Sequence, residues 1–454
     1  MDLTPELLLS WTRRGPRYTS YPTVPEWKED LPDSVLFDAI EGVDRPASVY
    51  VHVPFCREQC TFCGCTMVVS GRREPGTRYL AALEKQLAAL RFRDGADRLD
   101  VVRIHLGGGT PTWFSPDELR QLYRLLRTRF RDLPGAEISV EVDPDVTSDE
   151  HVDALAECGV TRLSIGVQSF DPVLLEAVNR PQSRHRVSAV FEKARAHGMT
   201  GMNLDLIYGL PHQTAARFSA TLAETLALRP DRLALFGYAH VPWLKPHQKR
   251  IDEQALPGPV DRARLFLAAH AALTAAGYVA IGMDHFALPD DELAEARQDG
   301  RLHRNFMGYT THAELPLIGL GMSGISEFPD LYVQQRTKLS RWWKSIETGT
   351  EPLIEKATRV SAADRMRREA IQELMCNLRV DLDAVASHHN ADGAIFDSEL
   401  ARMDSLERDG LVQRDGRRLF VPDDRALLVR NVAMALDPRM AAPAENGPRY
   451  SSTV

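Results

Sequence analysis

Six short apolar tracts recur along the first half of the chain, and they constrain its fold more than any other feature. They read ASVYVHV (47–53), VVRIHL (101–106), EISVEV (137–142), RLSIGV (162–167), MNLDLIY (202–208) and RLALFGY (232–238), each closed by glycine or polar residues. Runs of this kind suit strands buried on both faces. Between them lie segments with apolar residues at three- and four-residue steps, such as TRYLAALEKQLAALRF (77–92), which predict amphipathic helices. SPDELRQLYRLLRTRF opens with Ser115 as N-cap, Pro116 at the first helical position and Glu118 three residues after the cap, the pattern of a capping box. TAARFSATLAETLAL follows a similar scheme from Thr214. Strand–helix alternation at about thirty-residue intervals predicts βαβ units with right-handed crossovers and a parallel sheet. Six such units fit an open doubly wound sheet or an incomplete barrel.

With 454 residues, the chain has room for two to three domains. YVAIGMDHFAL (278–288) and the glycine-rich LIGLGMSGISEF (317–328) extend the first domain. Past about residue 355 the pattern changes to a helix, AADRMRREAIQELMCNL. Then comes a helix followed by a hairpin turning near Asp415–Gly416, an order similar to a winged-helix module. The expected division is an arm over 1–46 that could cover the substrate site, a catalytic domain over 47–355, a small mostly helical domain over 356–438 and a flexible tail over 439–454. Hydrophobic residues at 44% and charged residues at 26% are ordinary for a globular chain. The net charge of −8 gives no reason to expect nucleic acid. No apolar run approaches the length needed to span a bilayer. The start MDLTPELLLSWTRRGPRYTS lacks the features of a signal peptide, and a cytoplasmic protein is expected.

In a parallel α/β sheet, functional groups gather beyond the C-terminal ends of the strands. After the first tract comes CREQCTFCGC (56–65), holding four of the six cysteines. The second leads to GGGT (107–110) and the third ends at Glu141 and Asp143. Gln168 follows the fourth, Asp205 and Tyr208 belong to the fifth, and Tyr238 and His240 follow the sixth. Clustered thiols in a long chain from a reducing compartment point to metal rather than disulfides. Structural zinc takes two ligand pairs separated by a longer loop, which four thiols in ten residues do not provide. Cys56, Cys60 and Cys63, spaced C-x3-C-x2-C, suit three irons of a [4Fe–4S] cube whose fourth iron stays open. That spacing resembles the loop of radical S-adenosylmethionine (SAM) enzymes. Phe62 is placed to shield the cluster or stack on an adenine. The glycines of GGGT leave room for backbone groups to approach a ligand. Glu141, Gln168 and Asp205 serve either as ligand contacts or as solvated strand ends; their convergence on one rim favours contacts.

The chain resembles the oxygen-independent coproporphyrinogen III oxidases nearly end to end. The resemblance rests on GPRYTSYPT (15–23), YVHVPFCREQCTFCGC (50–65), HLGGGTPT (105–112), EISVEVDP (137–144), RLSIGVQSF (162–170), NLDLIYGLP (203–211), YAHVP (238–242), IGMDHFALPDDELA (281–294) and LHRNFMGYTT (302–311). It implies an incomplete (β/α)6 barrel with an N-terminal arm and a winged-helix-like C-terminal domain, a [4Fe–4S] cluster held by Cys56, Cys60 and Cys63, and two SAM molecules. The first SAM would meet Tyr50, Gly108, Glu141, Ala239 and Ile325. The second would meet Phe62, Gly109, Thr110, Gln168, Arg180 and Asp205. Cys65 matches a family cysteine that is not a cluster ligand but is tied to activity. Leu106 stands where an aromatic is expected, and NVAMALDPRM lacks a cysteine found in relatives; neither departure touches a motif position. The implied reaction is oxidative decarboxylation of two propionates of coproporphyrinogen III, with a flavodoxin or ferredoxin as low-potential electron donor and a monomeric enzyme. A substrate with four carboxylates calls for cationic clamps, for which Arg13, Arg14, Arg17, Lys245, His285 and Arg304 are candidates. Two alternatives share the cysteine loop: a haem-binding carrier and a radical methyltransferase acting on haem. Relatives of the carrier type lack the fourth cysteine and the RYTSYPT arm, and this chain has both.

Overall fold

The computed structural model of the chain describes residues 4–313, 315–440 and 450. Strands β1 (Ala47–Val53), β2 (Leu99–Gly108), β3 (Phe130–Val142), β4 (Arg162–Gln168), β5 (Gly201–Tyr208) and β6 (Arg232–Gly237) lie side by side in chain order. All five pairings between them are parallel. The antiparallel hairpin of β7 (Val279–Gly282) and β8 (His285–Ala287) extends the sheet beyond β6. On the other side β9 (Leu317–Leu320) runs parallel to β1. It leads into a meander of β10 (Ile325–Phe328), β11 (Leu331–Gln335) and β12 (Ile354–Arg359). The six parallel strands thus form the expected partial barrel, flanked rather than closed.

The core follows from the sequence pattern. Val49, Val51 and Val53 of β1, Ile104 and Leu106 of β2, and Leu163, Ile165 and Val167 of β4 are fully buried. They pack under helices such as Pro116–Arg127, which buries Leu119, Leu122, Tyr123 and Leu126. That helix starts as predicted: Glu118 N–H donates to Ser115 Oγ (3.3 Å), and Ser115 N–H donates to Glu118 Oε2 (2.7 Å). The helix expected over 77–92 runs instead over Glu74–Ala89, with Pro75 in its first turn, where a missing N–H costs nothing. β3 begins at Phe130, not 137. Leu99–Val101 pairs with Phe130–Asp132, and pairing then jumps to Arg103 against Glu137. Pro134 and Gly135 sit in the irregular part between, Gly135 at φ 81°, so the turn-forming pair bends the strand without ending it.

The domain boundary expected at residue 355 falls inside β12, which completes the large sheet and carries it to Arg359. The arm over 1–46 is not a separate piece. Its helix Ser34–Glu41 buries Leu36 and Ile40 in the core of the large sheet, while Leu8, Trp11, Tyr18 and Tyr21 join a second core made mainly of residues 366–436. That second core carries the helix Ala362–Asn377 and the hairpin Gln413–Asp415/Arg418–Phe420, with Gly416 at φ 59° in the turn. A third strand, Arg379–Asp381, pairs with the hairpin. Three residues long, it left no readable tract. Most of the expected tail lies outside the described residues. Among those residues, no helix is long and apolar enough to cross a membrane.

Candidate active site

The C-terminal ends of the parallel strands surround a cavity of about 700 Å³. The free thiols of Cys56, Cys60, Cys63 and Cys65 stand at its wall, carried there because β1 ends at Val53 and the chain turns into the cysteine loop. Gly108, Gly109, Thr110, Glu141, Gln168, Arg180, Asp205, Phe62 and Ala239 line the same cavity. One strand end after another delivers them to the rim.

The loop is clamped from two sides. Gly109 N–H donates to Val53 O and Thr110 N–H to Phe55 O, both at 2.8 Å, so the GGGT turn lies along the backbone that enters the loop. Thr110 Oγ1 lies 3.5 Å from Cys56 Sγ. A Cβ on Gly109 would stand 2.7 Å from the Pro54 and Phe55 backbone; one on Gly108, where φ is +116°, would stand 2.6 Å from the His52 ring. The glycines are therefore required by the protein's own close packing as well as by any ligand. From the other side, His247 Nε2 bonds Cys63 O (2.8 Å), Gln248 Nε2 donates to Phe62 O (3.2 Å), and Asn179 Nδ2 donates to Gln59 O (3.0 Å). Lys245 Nζ donates to Cys65 O at 3.4 Å. Phe62 packs against a cluster of Val178, Ile207, Leu210, Tyr238 and Ile251.

A cation reaches the thiols, although burial outweighs it and raises Cys60. Arg180 Nη1 donates to Cys60 Sγ (3.5 Å) and pairs with Asp143 Oδ2 (3.2 Å), while Nη2 is fixed on Gly166 O (2.5 Å). Burial still pushes Cys56 up to about 12, a cost that metal binding reverses because the ligand is the deprotonated sulfur. Cys63 is pulled below an ordinary thiol by the Cys65 thiol, although burial opposes this; the Cys65 N–H and the cations Lys245 and Arg180 add to the pull. The thiols of Cys56, Cys60 and Cys63 at one cavity wall, backed by cations and a glycine-rich turn, fit an iron–sulfur cube with one open corner.

Glu141 and Asp205, carboxylates of the same lining, have different environments. Burial raises the Glu141 carboxyl, but bonds from His105 and from Gly108 N–H (3.0 Å) outweigh it and leave Glu141 below its usual range. Asp205 is pushed up to about 6 by burial and by the charge of Glu141, against bonds from Asn203 Nδ2 (2.8 Å) and Ser164 Oγ (3.2 Å). Gln168 sits in the left-handed region at φ 65°, beside a register shift between β4 and β5. Such a conformation in a non-glycine residue at a cavity rim marks a constrained site.

Two of the expected SAM contacts do not line this cavity. Tyr50 lies on β1 with its hydroxyl 2.9 Å from His52 Nδ1 and its ring stacked on His105; Ile325 begins β10 and packs against the cluster of Trp27, Tyr332 and Val360. The tyrosines of the arm do not cover the cavity either. Tyr18 and Tyr21 donate to the two oxygens of Asp437, at 3.1 and 3.2 Å. Sequence reasoning missed Ser164, Asn203, His105, His247 and Gln248. The first three are polar residues inside otherwise buried strands, and buried polar groups require partners; that signal was available. His247 and Gln248 lie in a single-turn 3-10 helix and left none.

Residues 50–224 match the radical SAM superfamily model. The oxygen-independent coproporphyrinogen III oxidase of Salmonella typhimurium is 40% identical over 95% of this chain and 94% of its own length. The Bradyrhizobium diazoefficiens protein of the same name is 41% identical over 93% of this chain and 94% of its own. The solved structure of coproporphyrinogen III oxidase from Escherichia coli, a radical SAM enzyme, superposes with a TM-score of 0.89 at 38% identity, covering 93% of this chain and 97% of that one. On thiol spacing, partial-barrel fold and near full-length identity together, the chain belongs to the oxygen-independent coproporphyrinogen III oxidase family of radical SAM enzymes.

Proposed function

We infer that this chain carries out the oxygen-independent oxidative decarboxylation of two propionates of coproporphyrinogen III to vinyl groups, giving protoporphyrinogen IX. The observation that carries this reading is the convergence of Cys56, Cys60 and Cys63 with Glu141, Arg180 and Asp205 on one cavity. Near full-length likeness to oxidases of that activity supports it over the haem carrier and the haem methyltransferase. When bound, the cluster and SAM supply a 5′-deoxyadenosyl radical, the one reagent here able to remove hydrogen from a propionate carbon without an acid–base handle.

The protein's own share is binding, orientation and exclusion of water. Cys56, Cys60 and Cys63 hold the cluster, with Arg180 stabilising thiolate charge at Cys60. Glu141, ionised across the neutral range, suits the cationic end of a first SAM, together with Gly108 and Ala239; Tyr50 and Ile325 complete that set through the family likeness. Phe62, Gly109, Thr110, Gln168, Arg180 and Asp205 form the contacts of a second. Asp205 would accept hydrogen bonds from that ligand as a carboxylate, a state it takes above about pH 6. Cys65, outside the ligand triad, lowers Cys63 first through its thiol and then through its backbone N–H (3.4 Å). We assign a monomeric cytoplasmic enzyme that takes single electrons from a flavodoxin or ferredoxin. Anaerobic incubation with SAM, a strong reductant and coproporphyrinogen III should release CO2 and yield protoporphyrinogen IX. Cys60→Ser should lose the brown colour and SAM cleavage together. Full SAM cleavage by that variant, or porphyrin retained without conversion by the wild type, removes the reading.

A further inference from the structure

A second cavity, about 260 Å³, adjoins the first; Gly237, Tyr238, Ala239 and Val241 line both. Its lining brings together guanidinium groups from three distant parts of the chain. Arg14 and Arg17 come from the arm, Arg262 from the helix Pro259–Ala275, and Arg430 from the helix Val429–Ala435. Among the described residues, the carboxylate in the lining is Asp284, which pairs with Arg17 and whose other oxygen lies 2.7 Å from His285 Nδ1. Arg304, which donates to Arg17 O, adds charge from behind the wall.

Backbone anchors fix two of the arginines. Arg262 Nη2 donates to Tyr238 O and Arg430 Nη2 to Gly15 O, both at 2.7 Å. Arg14 lies over the exposed Trp243 ring, 6.0 Å from its centroid. Burial first, then the like charges of Arg304 and Arg430, bring Arg17 down to about 9. Burial first, then Arg304, brings Arg430 to about 10. Cations gathered so closely repel one another, and an anionic ligand with planar oxygen pairs relieves the repulsion. The remaining walls, Tyr208, Phe266, Met283 and Leu427, offer aromatic and aliphatic surface for the edge of a flat or puckered ring system.

We propose that this arginine cavity anchors carboxylates of the substrate that are not being decarboxylated, so that a propionate at the other side of the macrocycle reaches the cysteine cavity through the shared wall. The assignment rests on the coproporphyrinogen reading and adds the substrate-orienting residues Arg14, Arg17, Arg262 and Arg430. It also narrows the sequence-level candidates. Lys245 is bonded to the cysteine loop at Cys65 O, His285 is held neutral well below neutral pH by burial and by Arg304 and Arg17, and Arg13 packs over Trp11.

The test is a fluorescence titration of anaerobic holoprotein with coproporphyrin III, the stable oxidised form of the substrate, and with its tetramethyl ester, which has no carboxylates. Wild type should prefer the acid strongly. Arg14→Gln and Arg17→Gln should each weaken acid binding about 10- to 100-fold, the range for hydrogen bonds to charged groups. They should raise KM for coproporphyrinogen III correspondingly and erase most of the preference over the ester. Arg14 is exposed, so Arg14→Gln stays informative if the loss of the Asp284 pair disturbs folding of the other variant; iron content at the wild-type level certifies the fold. Unchanged acid affinity in folded Arg14→Gln and Arg17→Gln, with wild type still converting coproporphyrinogen, overturns the anchoring subsite alone. Failure of wild type to convert coproporphyrinogen overturns the functional reading and the subsite with it.

Discussion

Gly109→Ala is the sharpest probe of how the cysteine loop is held. Gly109 does not occupy the left-handed region, so alanine suits its backbone, and only space is at issue. The added Cβ would lie 2.7 Å from Pro54 C, Pro54 O and Phe55 O, against an ordinary contact of 3.4–4 Å. These are backbone atoms and have no rotamer to swing away. The loop entry must retreat by about 0.7 Å, and it carries Cys56 directly after Phe55. Overpacking of this kind costs about 1–3 kcal/mol, and displacement of a reacting assembly by about 1 Å costs on the order of 100-fold in rate. Expected results for the anaerobically purified variant are iron well below four per chain, weakened charge-transfer absorbance, and at least a ten-fold drop in 5′-deoxyadenosine yield. Gly71→Ala, where the added Cβ meets nothing within 4 Å, should match wild type in all three. Gly109→Ala with a full iron complement and only weaker SAM binding would show that the glycine makes room for ligand and does not position the loop.

Two further outcomes are expected. Gln248 is 1% exposed and joins three backbone groups: it donates to Phe62 O and Ala239 O and accepts from Val241 N–H. Gln248→Ala orphans them, and urea unfolding of the holoprotein should show a loss of about 2–3 kcal/mol with faster iron release. Glu327 on β10 is raised to about 7 by burial, only partly offset by Arg368 and the Tyr332 hydroxyl, and among the described residues its Oε2 has no hydrogen-bond partner. Its folded-state pKa exceeds the unfolded value of 4.5, so the fold binds the extra proton and wild-type stability falls as pH rises from about 4.5 to 7. Glu327→Gln should therefore match wild type near pH 4.5 and exceed it by about 2–3 kcal/mol above pH 7. Parallel pH profiles in urea titrations would show that Glu327 has an ordinary carboxylate's affinity for protons.

What the chain discloses in one dimension divides along physical lines. The parallel strands were legible because burial on both faces writes continuous apolar tracts, and their order followed because each crossover helix writes a second period between them. Cys56, Cys60 and Cys63 were legible because one loop carries all three thiols, so their spacing in sequence is nearly their spacing in space. Contacts made across the fold leave no such trace. Gln248 reaches the cysteine loop from 186 residues away, and Asp437 fixes Tyr18 and Tyr21 from more than 400 residues away; none of these residues sits in a periodic pattern. The arm shows the consequence. Its motif GPRYTSYPT reads as one unit, yet the fold splits it, sending Arg17 to a cavity wall and Tyr18 to a buried carboxylate one residue later. Tyr18 stands at φ 47°, in the left-handed region, and this single turn directs neighbouring side chains to opposite tasks. A guanidinium that orients a ligand and a phenol that locks the domain supplying Arg430 are thus coupled through one backbone position. Loosening the Asp437 contact should relax the arginine cavity before it touches the thiols.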